Sequence, residues 1–275
     1  MRILPWKVKP LPSKTNMEQT PDQKRNRLFI ILAGIFITNA LLAEMIGVKI
    51  FSLEQTFGLN PAQLNILGFT MDFNLTAGVM IWPVVFITTD LINEYFGKPG
   101  VKQISYLAAG LIAYVFVVVF FTMRLSPAEF WHYTKDANGN IVDMDIAFNK
   151  IFGQGQRIII GSLTAFIFSQ LIDVFAFQKI KRITGSKHLW LRATGSTLIS
   201  QLFDSFIVLF IAFYGTYQTD LIVAIGITNY IYKFIIAVAL TPIVYLGHSI
   251  IDKYLGKEHA EKISAEATEK SQGFF

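Results

Sequence analysis

The sequence contains no cysteine. That absence excludes disulfide bonds, thiolate metal sites and a cysteine nucleophile. The four histidines (His132, His188, His248 and His259) are scattered, without the spacing that a metal site needs. The phosphate-binding motif GxxxxGK(S/T) and the hydrolase motifs HExxH and GxSxG are missing as well. We therefore expect no metal, no cofactor and no catalytic residue.

Charged residues are also scarce. They make up 16% of the chain, against about a quarter of a soluble domain. Apolar residues make up 53%, and 25 residues are phenylalanine. A soluble fold of this length cannot bury that much hydrocarbon, whereas a lipid bilayer can cover it. The formal net charge of +5 then indicates basic loops on the cytoplasmic side of a membrane rather than nucleic-acid binding.

Six segments are apolar over about 20 residues, the length that a helix needs to cross a bilayer. We predict an all-α integral membrane protein with helices at 28–49, 75–96, 103–123, 158–178, 193–214 and 221–246. The transmembrane domain then covers residues 28–252. Residues 1–27 are expected to be a disordered cytoplasmic arm without a signal peptide, with Met17 as an alternative start. Residues 253–275 are a charged cytoplasmic tail that could form a short surface helix.

Lysine and arginine lie mainly on one side of the predicted spans. The N-terminal arm, the 97–102 turn, the 179–192 loop and the C-terminal tail carry eighteen, and the opposite loops carry five. Positively charged loops are retained in the cytoplasm. We therefore expect both termini in the cytoplasm and a multi-pass position in the bacterial inner membrane.

Two of the predicted outer segments are too long to be simple turns. Residues 50–74 alternate in polarity around Gly68, which predicts a short hairpin. Residues 124–156 contain an Asn-Gly turn and form either a solvated connection or a lid over a binding site.

Several polar side chains fall inside the spans, although a charge at the centre of a membrane helix costs about 2.5–3.5 kcal/mol on insertion scales. Each could simply join helices, for example through an ion pair between Lys233 and Asp204. Together they exceed what packing needs, which favours a polar central site. Carboxylates and amides suit a flat heterocycle with N–H edges, on which Phe and Tyr can stack.

Two strings nearly repeat on consecutive antiparallel helices, SQLIDVF (169–175) and SQLFDSF (200–206). They arise either from duplication or by chance between two apolar helices. Seven residues do not establish an inverted-repeat architecture.

Three motifs make the chain similar to a known family: TDLINEYFGK (89–98), RATGSTLISQLFDS (192–205) and NYIYKF followed by TP (229–242). They resemble the vitamin uptake transporters, and within them the queuosine-precursor transporters, over about residues 28–256. The resemblance implies import of 7-cyano-7-deazaguanine or 7-aminomethyl-7-deazaguanine for salvage into queuosine, a modified tRNA nucleoside. It also implies a six-helix fold similar to the substrate-binding subunits of energy-coupling-factor transporters. The motifs point to Asp90, Asn93, Glu94, Arg192, Ser200, Gln201, Asp204 and Lys233.

The chemistry of the polar residues suggests two groups. The expected substrate-binding residues are Asn39, Ser200, Gln201, Asp204, Asn229 and Lys233. In that group Asp204 accepts hydrogen bonds from the guanine-like edge, and Lys233 pairs with a buried carboxylate or faces a ring carbonyl. The expected coupling or gating residues are Asp90, Asn93, Glu94, Gln170 and Asp173. Asp90 and Glu94 would carry a proton or brace the 97–102 turn.

Three other interpretations stay open at this point. The chain could be the substrate-binding subunit of an ATP-driven transporter for another heterocycle. It could be a membrane-embedded enzyme that uses its carboxylates, or a structural subunit, which the density of intramembrane charge argues against. The partners expected are a deazapurine and the lipid bilayer, and no nucleic acid. A homodimer or an ATP-driven module, the energy source and the preferred deazapurine are left open by the sequence.

Overall fold

The computed structural model describes residues 20–47, 49–153, 156–185, 188–215 and 217–271, and most of these are helical. The helices in these ranges are α1 (Pro21–Ile46), α2 (Leu53–Thr56), α3 (Trp82–Thr122), α4 (Glu129–His132), α5 (Met144–Phe152), α6 (Gln156–Thr184), α7 (Leu189–Phe213), α8 (Thr219–Leu255) and α9 (Lys257–Lys270). The connections hold a 3-10 turn (Ala77–Met80) and the strands β1 (Ile50–Ser52), β2 (Leu64–Ile66), β3 (Phe69–Met71), β4 (Asn74–Thr76), β5 (Tyr133–Lys135) and β6 (Ile141–Asp143).

Five helices of the described ranges are long and apolar enough to cross a membrane, namely α1, α3, α6, α7 and α8. The chain is a multi-pass membrane protein, as predicted. Many large apolar side chains on these helices are exposed, among them Ile30, Phe121 and Leu246. Such residues are normal on a surface that faces lipid.

The predicted second and third spans both fall on α3, so the predicted count of six is not confirmed. Gly97 interrupts α3, because its φ of 66° and ψ of −169° are not helical. We call residues 82–96 the first arm of α3 and residues 98–122 the second arm. The second span was predicted to begin at 75, but residues 74–80 form β4 and the 3-10 turn. An apolar run alone does not distinguish these conformations.

The predicted termini differ from those of the structure. Helix α1 begins at Pro21, with a capping box between Thr20 and Gln23, so the last residues of the predicted arm are helical. Residues 1–19, Met17 among them, and residues 272–275 lie outside the described ranges. The predicted surface helix of the tail is α9, but it is not free of the bundle. Its small and apolar side chains Ala260, Ile263 and Ala267 are buried, and it packs against α3.

Packing of α9 depends on the break at Gly97. A Cβ atom on Gly97 would lie 2.5 Å from the Ala267 carbonyl oxygen and 2.7 Å from the Ser271 hydroxyl. The Lys98 backbone N–H, at the start of the second arm, donates a hydrogen bond to that hydroxyl at 2.9 Å. Glycine therefore provides both the positive φ and the space for α9.

The prediction of a mainly helical fold is confirmed, and three small antiparallel ladders lie in the connections between the helices. The hairpin predicted around Gly68 is confirmed as β2 paired with β3. Its two-residue turn, Leu67 and Gly68, has positive φ at both positions, as a type I′ turn requires. The Asn-Gly turn is confirmed between β5 and β6. The third ladder, β1 with β4, lies in the same connection as β2 and β3.

The two ends of the bundle differ in character. We call one the hairpin end, because it carries these ladders. The other, the basic end, is where α3 breaks, α6 and α8 end and α7 and α9 begin. Its charged residues include Lys98, Lys181, Arg182, Arg192, Lys253 and Lys257.

Candidate polar site in the bundle centre

The first arm of α3 is the central helix of the bundle. Its residues from Thr88 to Tyr95 are all buried, and α3 packs against α1, α6, α8 and α9. Asp90 and Glu94 lie one helical turn apart on this arm. Their side chains therefore face protein rather than lipid.

Two small cavities adjoin the first arm at mid-height. The lining of the first cavity comprises Phe86, Thr89, Ser169, Gln170, Asp173, Thr197, Ser200 and Gln201. The lining of the second comprises Phe86, Ile87, Asp90, Thr194, Thr197, Ala237, Leu240 and Val244. Phe86 and Thr197 line both, so the two cavities are neighbours, and we call them together the central site. Each has a volume of about 10 Å³, which is room for about one water molecule.

The central site is rich in hydrogen-bond acceptors that no described residue satisfies. Oδ1 of Asp90, Oε1 of Gln170 and Oδ2 of Asp173 are buried and receive no hydrogen bond from the described residues. The other oxygen of Asp173 accepts one from the Ser200 hydroxyl at 3.2 Å. Buried polar atoms are rarely left unpaired, and a cluster of them needs an explanation such as a missing ligand. The lining therefore suits a ligand with several N–H donors.

The near-repeat of the sequence converges on this site. Ser169, Gln170 and Asp173 of the first string line it, and so do Ser200 and Gln201 of the second. Because α6 and α7 are antiparallel, the two aspartates of the strings diverge. Asp173 lies level with Ser200, whereas Asp204 lies one turn nearer the hairpin end.

Asp204 is paired with Lys233, as one interpretation of the sequence predicted. Nζ of Lys233 lies 2.5 Å from Oδ2 of Asp204, and both side chains are mostly buried. Glu44 lies close enough to Asp204 for their charges to interact, and it accepts a hydrogen bond from the Ser162 hydroxyl at 2.6 Å. The pair lines neither cavity of the central site. It is a charged layer on the hairpin side of that site.

The two asparagines expected in the substrate group do not line the central site. Asn39 donates from Nδ2 to the Ile35 carbonyl of its own helix at 2.8 Å. Asn229 is half-buried on α8. The structure thus brings together Asp90, Gln170, Asp173, Ser200 and Gln201 from the two sequence-predicted groups, and it places the other six residues elsewhere.

Glu94 lies in a compensated cluster at the basic end. Its Oε1 lies 3.0 Å from Nη2 of Arg192 and 3.3 Å from Nζ of Lys181. The Ser264 hydroxyl of α9 donates to the same oxygen at 2.7 Å. Lys181 also donates to the Glu94 and Ser264 carbonyls, and Arg192 to the Gly185 carbonyl. One carboxylate thus joins α3, α6, α7 and α9.

Neighbouring polar contacts extend this cluster to α8. The Tyr95 hydroxyl donates to Oδ1 of Asp252 at 2.7 Å and lies 3.0 Å from Nδ1 of His248. Nε2 of His248 lies 3.7 Å from Glu94. Asn93, which is fully buried, accepts a hydrogen bond at its backbone carbonyl from Gln178 at 3.1 Å. We call the whole set the Glu94 network.

An open cleft of about 630 Å³ lies at the basic end between α7 and α8. Arg192, His248 and Asp252 line it, together with Leu189 and Tyr245. A thin layer separates it from the central site. Val244, which lines the central site, packs with Leu189, Phe177 and Ala193, and Thr194 is hydrogen-bonded to Thr241 at 2.7 Å.

Sequence analysis missed several members of both clusters. Lys181 and His248 were not singled out, because charged residues near helix ends are usually solvated. Ser264 was not singled out, because it lies in the predicted surface tail. Phe86, Thr89 and Thr197 carry no charge that would mark them as intramembrane exceptions. Of these three residues, only Thr89 could have been found from the sequence, because it directly precedes Asp90 in the TDLINEYFGK motif. None of the residues that line the central site or the cleft comes from 124–153, and the choice between a solvated connection and a lid there stays a prediction.

Comparison with known proteins gives one family. The family model described as "Putative vitamin uptake transporter" matches residues 76–247. A Bacillus subtilis protein named "Probable queuosine precursor transporter" is 35% identical over 182 residues, covering 65% of this chain and 75% of the relative. A Haemophilus influenzae protein of the same name is 26% identical over 227 residues, covering 80% and 85%. The "Queuosine precursor transporter" of Escherichia coli is 26% identical over 174 residues, covering 61% and 70%.

No solved structure matches the chain. The family model spans well over half of the sequence, from β4 to the last turns of α8, and includes every lining residue of the central site. By this match and by its apolar helices, the chain belongs to the vitamin uptake transporter family.

Proposed function

We propose that the protein imports queuosine precursors, 7-cyano-7-deazaguanine and/or 7-aminomethyl-7-deazaguanine, across the inner membrane for salvage into tRNA queuosine. The observation that carries the proposal is the central site, where buried carboxylate and amide oxygens have no donor among the described residues. A guanine-like ring carries N–H donors along one edge and apolar faces, which suit these acceptors and the Phe86 ring. The names of three relatives support the same substrate class.

In this proposal the binding residues are Asp90, Gln170, Asp173, Ser200 and Gln201. The Asp204–Lys233 pair then closes the site on the hairpin side instead of holding the ring. Asn93 and Glu94 brace the basic end, and Asn39 and Asn229 are assigned no contact with substrate. The assignment moves Asp90, Gln170 and Asp173 from coupling to binding, because they line the cavities.

The central site is too small to hold a purine-sized ring as it stands, since each cavity has a volume of about 10 Å³. The structure therefore corresponds to a closed state, and loading requires helices to separate. The exit in this proposal is the contact between α7 and α8, which we call the α7–α8 seam. Val244, which lines the central site, packs there with Leu189, which lines the open cleft, and Thr194 contacts Thr241. Pro242 on α8 adjoins that contact, and its missing N–H weakens the helix there.

The proposed topology counts the two arms of α3 as separate crossings. With α1, α6, α7 and α8 this gives six crossings and puts both termini on the basic side, which the positive-inside rule assigns to the cytoplasm. The open cleft would then face the cytoplasm, as release of an imported substrate requires.

The test is uptake in a bacterium that neither makes nor imports queuosine precursors. Cells that express the chain receive each deazapurine at nanomolar concentration, and queuosine in tRNA is detected by retarded migration on a boronate gel. We expect the chain to restore modification and Asp173→Asn to lower it strongly at normal membrane abundance. Asp220→Asn, the same change at an exposed position of α8, is the matched control and should transport normally.

Unmodified tRNA despite confirmed membrane insertion would contradict solitary import of these compounds. Binding of the deazapurines to the purified protein would then separate two explanations. A protein that binds them but does not transport them requires a partner module, and a protein that does not bind them has a different substrate.

A further inference from the structure

The carboxylates of the central site have no cation beside them. Asp90 and Asp173 line two neighbouring cavities, whose linings share Phe86 and Thr197. Among the described residues that line the two cavities, none is Lys, Arg or His. The basic residues nearest along the helices are already engaged, Arg192 and Lys181 with Glu94, and Lys233 with Asp204.

The acceptors of the site match an ammonium group in number. Oδ1 of Asp90, Oε1 of Gln170 and Oδ2 of Asp173 are the acceptors without a donor, and all three residues are at least nine-tenths buried. A primary ammonium is a point charge with three N–H donors and no acceptor. Hydrogen bonds between an ionised donor and a carboxylate are stronger than neutral ones. A ligand cation would therefore neutralise the site and satisfy its acceptors together.

We propose that Asp90 and Asp173 recognise an ammonium group of the ligand, so that the central site prefers a cationic heterocycle to a neutral one. This inference rests on the proposed function, within which it distinguishes the two precursors. The 7-aminomethyl compound carries a protonated amine, and the 7-cyano compound carries a nitrile, which is neutral and has no N–H donor. Asp90 and Asp173 thus determine specificity with Gln170 as the third acceptor, while Ser200 and Gln201 remain for the edge of the ring.

The experiment measures binding of three ligands to the purified full-length protein in lipid nanodiscs by isothermal titration calorimetry. The ligands are the 7-aminomethyl compound, the 7-cyano compound and unsubstituted 7-deazaguanine. We expect the aminomethyl compound to bind at least about tenfold more tightly than the other two, a ratio that corresponds to about 1.4 kcal/mol.

Asp90→Asn and Asp173→Asn keep the shape of each side chain and remove its charge. At least one of them should lose the preference for the aminomethyl compound, because its affinity for that compound falls at least about tenfold more than its affinity for the cyano compound. A single peak at the wild-type position in size-exclusion chromatography shows that the variant is folded. Glu44→Gln, which removes a carboxylate outside the central site, is the matched control and should keep the preference.

Equal affinity of the wild type for the three ligands would overturn the inference and leave the proposed function intact. A preference that survives in both variants would overturn it as well. If the wild type binds none of the three, the proposed function and the inference both fail.

Discussion

Glu94 and Asp90 lie one turn apart on the same buried helix, but their surroundings are opposite. Glu94 has a lysine, an arginine and a serine within hydrogen-bonding distance. Asp90 has an acidic neighbour, Asp173, and no Lys, Arg or His among the described residues that line its cavity. Each of the two carboxylates has one buried oxygen that receives no hydrogen bond from the described residues, so the difference between them is one of charge. A buried charge with counter-charges from several helices holds those helices together, whereas a buried carboxylate without one is costly and is often found at a functional site. The comparison supports our proposal that the Glu94 network holds the helices together and that the central site binds the ligand.

Removal of the two carboxylates should have opposite consequences. Glu94→Gln leaves Lys181 and Arg192 buried without a counter-charge, and breaking a buried ion pair in this way costs about 3–5 kcal/mol. We expect most of the folded protein to be lost, as measured by fluorescence-detected size-exclusion chromatography of detergent extracts.

Asp90→Asn removes a charge that has no counter-ion, and it should leave the folded yield unchanged or raise it. Equal yields for Glu94→Gln and Asp90→Asn would break the distinction between the two regions. A loss in Asp90→Asn alone would reverse it.

The α7–α8 seam lies between the central site and the open cleft beside the Glu94 network. A cross-link from α7 to α8 tests whether these helices must separate there during transport. The chain has no cysteine, so Thr194→Cys/Thr241→Cys introduces the only thiols, at side chains that lie in contact. We expect a short bifunctional thiol reagent with a reducible bond to lower uptake to background and a reductant to restore it. Each single-cysteine variant, treated in the same way, is the control. Normal uptake by the cross-linked protein would place the exit elsewhere.

Gly97→Ala tests how the Glu94 network depends on α9. Gly97 has a φ that only glycine adopts easily, and its missing Cβ leaves the space for α9, which carries Ser264. Holding a residue with a side chain in such a conformation costs about 1–3 kcal/mol of folding free energy. We therefore expect Gly97→Ala to unfold at a temperature several degrees below that of the wild type. Gly34→Ala, on α1 with open space around it, is the matched control and should be neutral. Equal unfolding temperatures would mean that α9 does not stabilise the bundle.

Glu54 provides a compensated carboxylate at the hairpin end. Burial alone would raise the pKa of Glu54. Hydrogen bonds from the Phe73 and Ala62 backbone and the Ser52 hydroxyl together have a larger, opposite effect, so the pKa lies below its usual value. The ionised form therefore stabilises the fold of residues 50–76 above pH 4.5, and this contribution is lost as the pH falls through the lowered pKa.

Hydrogen exchange of residues 50–76, corrected for intrinsic rates, should show the local loss of protection in acid. We expect Glu54→Gln to have weaker protection at pH 7 and little further change on acidification. If wild type and variant respond to pH alike, Glu54 does not hold this segment.

Some features of the molecule could be predicted from the sequence, and others could not. The hairpin at Gly68 was predictable, because a two-residue turn and the alternation around it are local. The carboxylates Asp90, Glu94, Asp173 and Asp204 of the membrane helices were visible for the same reason. Their division into substrate and coupling groups was not visible, and it placed Asp204 in the site and Asp173 outside the binding group. Our proposed assignment differs from that division because α6 and α7 are antiparallel, which sends the two similar aspartates to different heights.

The sequence by itself determined that this is a multi-pass membrane protein with carboxylates in its helices, since composition and apolar run length are properties of the chain alone. Only the tertiary structure decided which carboxylates are compensated. The partners of Glu94 come from α6, α7 and α9, and Ser264 lies 170 residues away. No local pattern records such contacts, because they depend on which helix faces meet when the bundle closes.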